Sequence, residues 1–565
     1  MIGPRLRRVA ALAATLAAAG TVMVACGGEE EEHSSIDYLT DARVASYNAN
    51  TPDGYANGSL MALTRVLPGF SFIGPDGQIV ADRDIGSATL QEDSPQTVEY
   101  AFNPAAVYSD GHKMTCDDLL LAATALGGEH RQFDAASNAG YQDIKTVDCA
   151  PGSRTATVTF ERGKTYENWR GLFGAGTLLP AHVVGRLAGV SNVGNAIRTN
   201  DRAAIAKIAK AWNTGFAMKP GEAIDPKVFV SAGPYRIRDF TAEKGLRLVS
   251  NDKWWGQEPT LGDATIWTRG TDGDTALKDG VVDVVDSDDL AAADKVAGRE
   301  SPAPGADRGA ARDPASLSVT SLVFSRKGAV SDLKVRQALA SCMPRNELAR
   351  AHGANGVVWS MRSVAPADSL GPSLNVQYGR RYPRSDLGRA RNLLEDRENT
   401  DRKPMVRIGY PAGSEADAAV VKTIADTCAR AGVSVRDVST PDFSVTSLGK
   451  KADAVLMAGD TFAAAGTASG FPSAYSLSAG DPLNLSDFPN RSVREAIADL
   501  ASSSRDSGRL PLLRTIDTAA WDELPTIPLY GTVRGREASG AVTHAVPGLG
   551  RSGTGWNMDR WGGTA

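Results

Sequence analysis

The sequence predicts a mixed α/β fold organised in more than one domain. Helical and extended periodicities alternate along the chain from Asp37 onward, a pattern typical of lobes in which helices pack against sheets. Of the 565 residues, 42% are hydrophobic and 22% are charged, which is the composition of a folded globular protein. A chain of this length corresponds to roughly two to four domains.

Several segments show the alternation clearly. In residues 98–102 and 155–160, the hydrophobicity of successive side chains alternates with the two-residue period of a half-buried strand. Residues 202–212 place alanines, isoleucines and a tryptophan at helical spacing, which predicts an amphipathic helix. Residues 416–431 predict another helix, followed by a short strand at residues 433–435.

Local signals also predict helix ends and irregular segments. We expect Ser331 to cap a helix whose apolar side chains lie within residues 335–342, and Pro344 to end that helix and begin the next. Residues 296–314 are rich in alanine, proline, glycine and charge, which indicates a linker or long surface loop. The glycine-rich tail at residues 548–563 is expected to be partly mobile.

The N-terminal residues have the features of a lipoprotein leader. Arginines at positions 5, 7 and 8 precede an apolar run over residues 9–25, and Cys26 follows at a small-residue cleavage site. This pattern looks like a bacterial lipobox, in which that thiol is lipidated. The alternative is a transmembrane anchor, but the run is shorter than the roughly 20 residues that a span needs, and no basic cluster follows it. We expect residues 1–25 to be a signal peptide and residues 26–36 an acidic tether, which places the body on the outer face of the cell membrane.

The charge of the chain narrows the range of its partners. The formal net charge is −5, so the chain lacks the basic footprint of a nucleic-acid-binding protein. The same charge disfavours binding to anionic lipid through basic patches. We therefore expect membrane contact through the lipid anchor and no nucleic-acid partner.

The cysteine count suggests disulfides. Of the five cysteines, assignment of Cys26 to lipid leaves an even number in an oxidising compartment, with three possible pairings. We predict the pairs nearest in sequence, Cys116–Cys149 and Cys342–Cys428. Four buried free thiols are one alternative. A structural zinc site that uses His112 and Cys116 is another, although no CxxC pair supports it.

Six short motifs occur in a fixed order along the chain. They are AVYSDGHKMTCDD at residues 106–118, SAGPY at 231–235, LVSNDKWWG at 248–256, ALKDGVVD at 276–283, DLKVRQAL at 332–339 and LPTIPLY at 524–530. Each motif alone is a weak signal, and each also has a structural explanation as a turn or a packed helix face. Together and in this order they resemble the bacterial extracellular solute-binding proteins of family 5, the peptide-type receptors of ABC importers. The actinobacterial lipoprotein branch of that family is the most similar, because its first motif carries a TCDD cysteine.

The resemblance implies a two-lobed periplasmic-binding-protein-like fold of type II, cluster C, with an extra subdomain inserted in the first lobe. Two crossovers, near Val296 and Leu524, would form the hinge about which the lobes close. The implied parts are a first-lobe core at residues 37–66, 224–297 and 527–565, an inserted subdomain at residues 67–223, and a second lobe at residues 298–526.

The same resemblance suggests ligand-binding residues. In this family an aspartate in a GWxxD region of the second lobe holds the ammonium group of a peptide, for which a buried carboxylate is the natural partner. The corresponding stretch, residues 455–475, has no tryptophan, and Asp460 is our candidate for that role. The other candidates are aromatic residues in cleft-lining segments and one first-lobe asparagine, each of which has core packing as its alternative: Phe462, Tyr410, Trp359, Tyr475 and Asn48.

The expected function is capture of a peptide or peptide-like solute between two lobes and its delivery to an ABC permease with its ATPase. We expect a monomer that uses no cofactor and no metal. The alternative is a surface sensor or interaction lipoprotein on the same fold with a degenerate cleft. Nickel, sugar, antibiotic and opine binders share this scaffold, so the fold does not fix the ligand.

Catalysis has little support in the sequence. The chain contains no HExxH and no GxSxG motif. The SxxK pattern of penicillin-binding nucleophiles occurs at residues 331–334 and 250–253, and such matches arise by chance in long chains. The loose companion motif at residues 166–168 precedes both, which is the wrong order for that fold. We expect the protein not to be an enzyme.

The leader generates the first prediction. A Cys26→Ser variant whose signal is still cut cannot accept lipid at that position, so a folded, ligand-competent protein should be released into the medium. Fractionation of cells and medium measures this directly. Retention of the mature variant in the membrane fraction would contradict the assignment of Cys26 as the anchor.

Overall fold

The computed structural model describes residues 35–300, 317–396, 403–457, 471–503 and 505–563. Cys26 and most of its tether lie outside these residues. The strands, in chain order, are β1 Ser35–Thr40, β2 Ser71–Ile73, β3 Ile79–Ala81, β4 Gly86–Asp93, β5 Gln96–Phe102, β6 Ile144–Asp148, β7 Thr155–Phe160, β8 Tyr235–Thr241, β9 Gly245–Ser250, β10 Asp263–Trp267, β11 Val284–Ser287, β12 Val319–Phe324, β13 Met405–Gly409, β14 Ser434–Asp437, β15 Ala454–Met457, β16 Thr526–Gly531, β17 Gly535–Ala538, β18 Val542–Thr543 and β19 Gly562–Gly563.

The helices lie between and around these strands. In chain order they are α1 Pro52–Ala56, α2 Ser59–Leu63, α3 Cys116–Leu126, α4 Ala181–Ala188, α5 Val193–Arg198, α6 Arg202–Thr214, α7 Gly273–Asp279, α8 Leu290–Val296, α9 Leu333–Cys342, α10 Arg345–His352, α11 Gly371–Tyr378, α12 Leu387–Glu395, α13 Glu415–Ala429, α14 Arg491–Ala501 and α15 Asp506–Glu523. Short 3₁₀ helices cover Tyr141–Asp143, Trp169–Gly171, Gly328–Ser331, Ala354–Gly356, Val445–Ser447, Phe471–Leu477 and Gly553–Arg560.

The first lobe is built on a six-stranded sheet with the strand order β17-β11-β1-β10-β9-β8. The first strand, β1, lies in the middle and pairs in parallel with both β10 and β11. The edge strand β17 is antiparallel to β11, and β9 is antiparallel both to β10 and to the other edge strand, β8. The sheet therefore joins the beginning, the middle and the end of the described chain, as the expected discontinuous first lobe requires.

The second lobe is built on a five-stranded sheet with the order β14-β13-β15-β12-β16. Strands β13 and β14 are parallel, and β12 is antiparallel to both β15 and β16. We expected this lobe to end at residue 526. All of β16 belongs to this sheet, however, so the second sheet extends to Gly531 and the chain returns to the first sheet only at β17.

The inserted subdomain lies between β1 and β8 in the sequence. Its main sheet is antiparallel with the order β4-β5-β7-β6, and a two-stranded pair, β2 and β3, precedes it. The predicted strands at residues 98–102 and 155–160 correspond to β5 and β7, and the helix predicted at residues 202–212 corresponds to α6.

Two disulfides stabilise the lobes, and they are the predicted pairs. Cys116–Cys149 joins the start of α3 to the segment after β6 in the inserted subdomain. Cys342–Cys428 joins the ends of α9 and α13 in the second lobe. Cross-links of this kind stabilise a fold mainly by restricting the unfolded chain. The disulfides also rule out both alternatives weighed from the sequence. Cys116 is not available as a zinc ligand, and none of the four cysteines is a free thiol.

Two local predictions were wrong. The cap of α9 is Asp332, whose carboxylate accepts the amide of Lys334 at 2.8 Å, whereas the Ser331 hydroxyl donates to the Gly328 carbonyl. The tail expected to be mobile packs against the first lobe. Trp561 is fully buried and lies edge-on to Tyr38, with 5.4 Å between ring centroids.

Candidate functional site

The second lobe contacts the inserted subdomain along several segments. The backbone amide of Glu167 donates to the carbonyl of Ala501 at 3.0 Å, and the Ser502 hydroxyl donates to the carbonyl of Thr165 at 3.1 Å. Leu317, at the start of the second lobe, packs on Gly77, where any Cβ would meet its side chain. The second lobe and the inserted subdomain are therefore in direct contact at these points.

A mostly apolar cavity of about 60 Å³ lies in the second lobe where Leu317 meets the inserted subdomain. Nine of its lining side chains are aliphatic or thioether groups, and an apolar lining is typical of small-molecule sites. The lining residues are Leu317, Val319, Ser321, Val323, Met361, Arg362, Val364, Ala365, Met457, Ser476, Leu483, Leu485 and Thr526.

Strand β12 forms one wall of this cavity because its side chains alternate between two environments. Val319, Ser321 and Val323 line the cavity and are half-buried. The intervening Thr320, Leu322 and Phe324 are buried on the opposite face. The two-residue period of a strand therefore assigns one face to the core and leaves the other available to a ligand.

A buried ion pair holds the opposite wall, residues 361–365. The Arg362 guanidinium donates to the Thr526 hydroxyl at 2.9 Å and to its carbonyl at 2.6 Å, and it lies 3.8 Å from the carboxylate of Asp517. Asp517 is fully buried and accepts the Arg362 amide at 2.7 Å and the Ser363 hydroxyl. The guanidinium also lies 4.1 Å from the centroid of the Trp521 ring.

The charge of Arg362 is committed to the protein. Burial lowers its pKa to about 10, an effect that the Asp517 carboxylate partly offsets, so Arg362 is cationic at neutral pH. Its Nε and Nη2 atoms donate to Thr526 and Asp517 partly balances its charge, whereas its buried Nη1 atom has no hydrogen-bond acceptor among the described residues. The other polar lining groups are the hydroxyls of serine and threonine. Among the described residues, the cavity is suited to an apolar group.

Two of the predicted ligand residues lie beside this cavity. Trp359 is 6% exposed, and its indole N–H donates to the Val364 carbonyl at 3.1 Å, so it supports the wall formed by residues 361–365. Tyr475 is 1% exposed and directly precedes the lining residue Ser476. Burial raises the pKa of Tyr475 well above its ordinary value.

The other two described candidates lie apart from the cavity lining. The hydroxyl of Tyr410 donates to the carboxylate of Asp437 at 2.7 Å, at the end of β13. Asn48 is fully buried, and its side-chain amide bonds to the Trp212 carbonyl and to the backbone and side chain of Asn50. Through these hydrogen bonds, Asn48 joins the segment after β1 to the end of α6. Both residues remain predictions as ligand contacts.

Asp460 and Phe462 lie outside the described residues. The lining side chains of β12 and of residues 361–365 were not predicted, because apart from Arg362 they are small or apolar residues without a chemical signature. The alternation of Val319, Ser321 and Val323 was a usable signal, since it predicts a strand with one less buried face.

The two SxxK matches do not form nucleophile sites in the structure. The Ser331 hydroxyl donates to Gly328, and Lys334 instead donates to the carbonyl of Asp396. The Ser250 hydroxyl donates to the Gly262 carbonyl at 3.0 Å. In the described part of the chain, both serines are thus engaged by backbone carbonyls.

A second polar cluster bridges the two lobes. Asp41, Asp288 and Arg269 belong to the first lobe, where the Arg269 guanidinium lies 3.9 Å from Asp41 and 3.6 Å from Asp288. Asp417, in the first turn of α13, faces them from the second lobe. Burial, reinforced by the negative charge of Asp288, raises the pKa of Asp417 to about 7. Carboxylates of the two lobes therefore lie near each other, with Arg269 as a cation beside them.

Comparison with known proteins gives consistent results. The sequence profile described as "Bacterial extracellular solute-binding proteins, family 5 Middle" matches residues 87–482. The chain is 35% identical over 571 residues to the uncharacterized lipoprotein Rv2585c of Mycobacterium tuberculosis, with 99% of each chain covered.

Among the residues that the structure describes, no helix has both the length and the hydropathy needed to cross a membrane.

Solved structures share the fold at low sequence identity. AgaA of A. tumefaciens R10, solved with agropinic acid, has a TM-score of 0.72 at 15% identity, with 94% of this chain and 99% of that one covered. The oligopeptide-binding protein AppA of Bacillus subtilis, solved with a nonapeptide, has a TM-score of 0.67 at 13% identity and the same coverage. The two-lobed fold of this class is thereby established for the chain.

The buried ion pair generates a stability prediction. Asp517→Asn keeps the size of the side chain but leaves the Arg362 charge buried without its counter-charge, so it should lower the free energy of unfolding by about 3–5 kcal/mol. Urea unfolding measures the loss. Asp522→Asn is the matched control on the same helix, because Asp522 forms an exposed pair with Arg381 worth about 0–1 kcal/mol. Equal effects of the two substitutions would contradict this role of Asp517.

The cluster that bridges the lobes generates a pH prediction. Because the folded protein binds a proton at Asp417 more tightly than the unfolded chain does, stability should fall as pH rises from about 4 to about 7. Asp417→Asn removes this component, so the variant should lose less stability than the wild type between pH 5 and pH 8. Melting temperatures across that range provide the measurement.

Asp426→Asn serves as the control for that experiment, since Asp426 is an exposed residue on the same helix that pairs with Lys422. It should follow the wild-type pH profile. If the melting temperature of Asp417→Asn also depended on pH as that of the wild type does, the claim that the folded protein raises the pKa of Asp417 would be contradicted.

Proposed function

The chain belongs to the bacterial extracellular solute-binding proteins of family 5, and we propose that it is a lipid-anchored receptor that captures a peptide or peptide-like solute between its two lobes and delivers it to an ABC permease with its ATPase. The observation that carries the proposal is the apolar cavity of the second lobe at its contact with the inserted subdomain. The residues that line this cavity all belong to the second lobe, and its Leu317 edge lies against Gly77 of the inserted subdomain. A solute bound there would favour closure if its affinity for the closed state were higher than for the open one.

The chemistry of the cavity supports a solute with an apolar side chain. Val319, Val323 and Met361 offer apolar surface, and burying such a group contributes about 25 cal/mol per Å². Arg362 pairs with Asp517 and donates to Thr526, and it is the one charged side chain among the described lining residues, so this lining offers a peptide carboxylate at most the Nη1 atom of Arg362. Asp460 is our candidate partner for the ligand ammonium.

The lipoprotein leader supports the cellular setting of the proposal. Lipid on Cys26 would hold the receptor at the outer face of the membrane, and the acidic tether after it would let the body reach a permease. The M. tuberculosis relative that covers the full chain is named a lipoprotein, in agreement with this arrangement. A receptor of this kind acts as a monomer, and catalysis is not part of its function.

Blocking the cavity tests the proposal. A Ser321→Phe variant fills the space between β12 and the opposite wall, so it should weaken binding of peptides with apolar side chains by more than ~10-fold. Binding is measured by thermal stabilisation and by tryptophan fluorescence, for which the chain offers nine tryptophans. A peptide at about 100 times its Kd should stabilise the wild type by about 2.7 kcal/mol.

The matched control is Ser434→Phe, which makes the same substitution at an exposed residue of β14 in the same sheet. It should bind like the wild type, and both variants should melt close to it without ligand. If no peptide from a broad library stabilises the wild type, peptide capture is wrong and the sensor alternative gains support. If Ser321→Phe binds normally, the cavity is not the site.

A further inference from the structure

Three side chains with metal-ligating atoms converge on the inserted subdomain, away from the solute cavity. The carboxylate oxygen Oδ2 of Asp110 lies 2.8 Å from Nε2 of His182 and 3.6 Å from Nδ1 of His112. One ligating atom from each of the three residues lies within 4.8 Å of the other two. Donor atoms of two imidazoles and one carboxylate therefore lie close together.

The backbone holds the first two of these residues in place. The amide of His112 donates to the second carboxylate oxygen of Asp110, Oδ1, at 3.0 Å, which leaves Oδ2 directed at the imidazoles. Tyr108 donates its amide to the His112 carbonyl at 2.7 Å and closes the turn that carries both residues. The ligating atoms of Asp110 and His112 are thus preorganised by a tight turn.

The third residue comes from a helix. His182 is the second residue of α4, and the preceding amide, that of Ala181, donates to the buried carboxylate of Asp118 at 2.8 Å. The ring of His182 stacks on that of His112, with 4.1 Å between centroids and 6° between planes. Turn and helix are thereby brought into contact through the two imidazoles.

The exposure of the cluster suits an ion that enters from solvent. The side chain of His112 is 64% exposed, whereas those of Asp110 and His182 are about one-fifth exposed. To bind an ion at the ~2.0–2.2 Å bond lengths of Zn²⁺, the exposed His112 ring has to turn out of its stack on His182, and bonds to the ion replace the hydrogen bond between Asp110 and His182. Three protein ligands then leave one coordination position to water.

We propose that Asp110, His112 and His182 form a binding site for a divalent transition-metal ion of the Zn²⁺ type. Imidazole nitrogens select such ions over Mg²⁺ and Ca²⁺, which prefer all-oxygen sites. The bound ion links the turn at residues 108–112 to α4 and so stabilises the inserted subdomain. This site differs in its ligands from the zinc site weighed from the sequence, because Cys116 is bonded to Cys149 and His182 takes its place.

Calorimetric titration of the untagged, metal-free mature protein with ZnCl₂ tests the proposal. We expect one Zn²⁺ per chain, a higher melting temperature with zinc, and a loss of affinity of more than ~100-fold in His112→Ala. Because His112 is largely exposed, this variant should melt like the wild type without zinc. His130→Ala, at another histidine of the inserted subdomain, is the control and should bind zinc normally.

Zinc X-ray absorption of the complex gives an independent readout. Two imidazole ligands and further oxygen ligands at about 2.0–2.1 Å would support the site. The proposal is overturned if His112→Ala binds zinc as tightly as the wild type, if the spectrum contains no imidazole, or if zinc fails to bind. None of these outcomes bears on solute capture, which is measured separately with peptides.

Discussion

The carboxylate of Asp286 holds the point at which the chain returns from the second lobe to the first. Asp286 is fully buried and accepts hydrogen bonds from the Arg534 guanidinium at 2.8 Å and from the amide of Thr554 at 2.7 Å. Arg534 also forms two bonds to the carboxylate of Asp41, at 2.6 and 2.9 Å. One network therefore joins β11, the returning crossover, the C-terminal segment and the residues after β1. Because an unpaired buried charge is costly, this network ties the returning crossover firmly to the first lobe.

The second lobe uses the same principle near its cavity. Asp517 pairs with Arg362 and holds the wall of residues 361–365, while β12 contributes the facing apolar side chains. The buried ion pair thus positions the backbone of residues 361–365, while the side chains that line the cavity are mostly apolar. Asp288 and Asp417 face each other across the lobes beside the guanidinium of Arg269, which partly balances their negative charges.

Local periodicity predicted the elements, and the ordered motifs predicted the fold. β5, β7 and α6 were predictable because each combines a regular pattern with a buried face. The packed tail at residues 548–563 was not, because its glycines permit either mobility or close packing and only tertiary contacts decide. The cavity escaped prediction for a related reason: aliphatic residues from separate segments form it, and none differs in type from ordinary core. Pairing of His112 with His182 likewise depends on tertiary structure.

The central claim is that this chain holds a solute between its lobes, and native mass spectrometry of the protein purified from its own host tests it most directly. The account predicts a population with an added mass that is lost on mild activation, and that added mass should be much reduced in the Ser321→Phe variant purified in the same way. Fragmentation of the released species should give a peptide or peptide-like molecule with an apolar side chain. An adduct retained equally by the blocked variant would contradict the placement of the site, and a wild type that never carries or acquires a solute would contradict the receptor function itself.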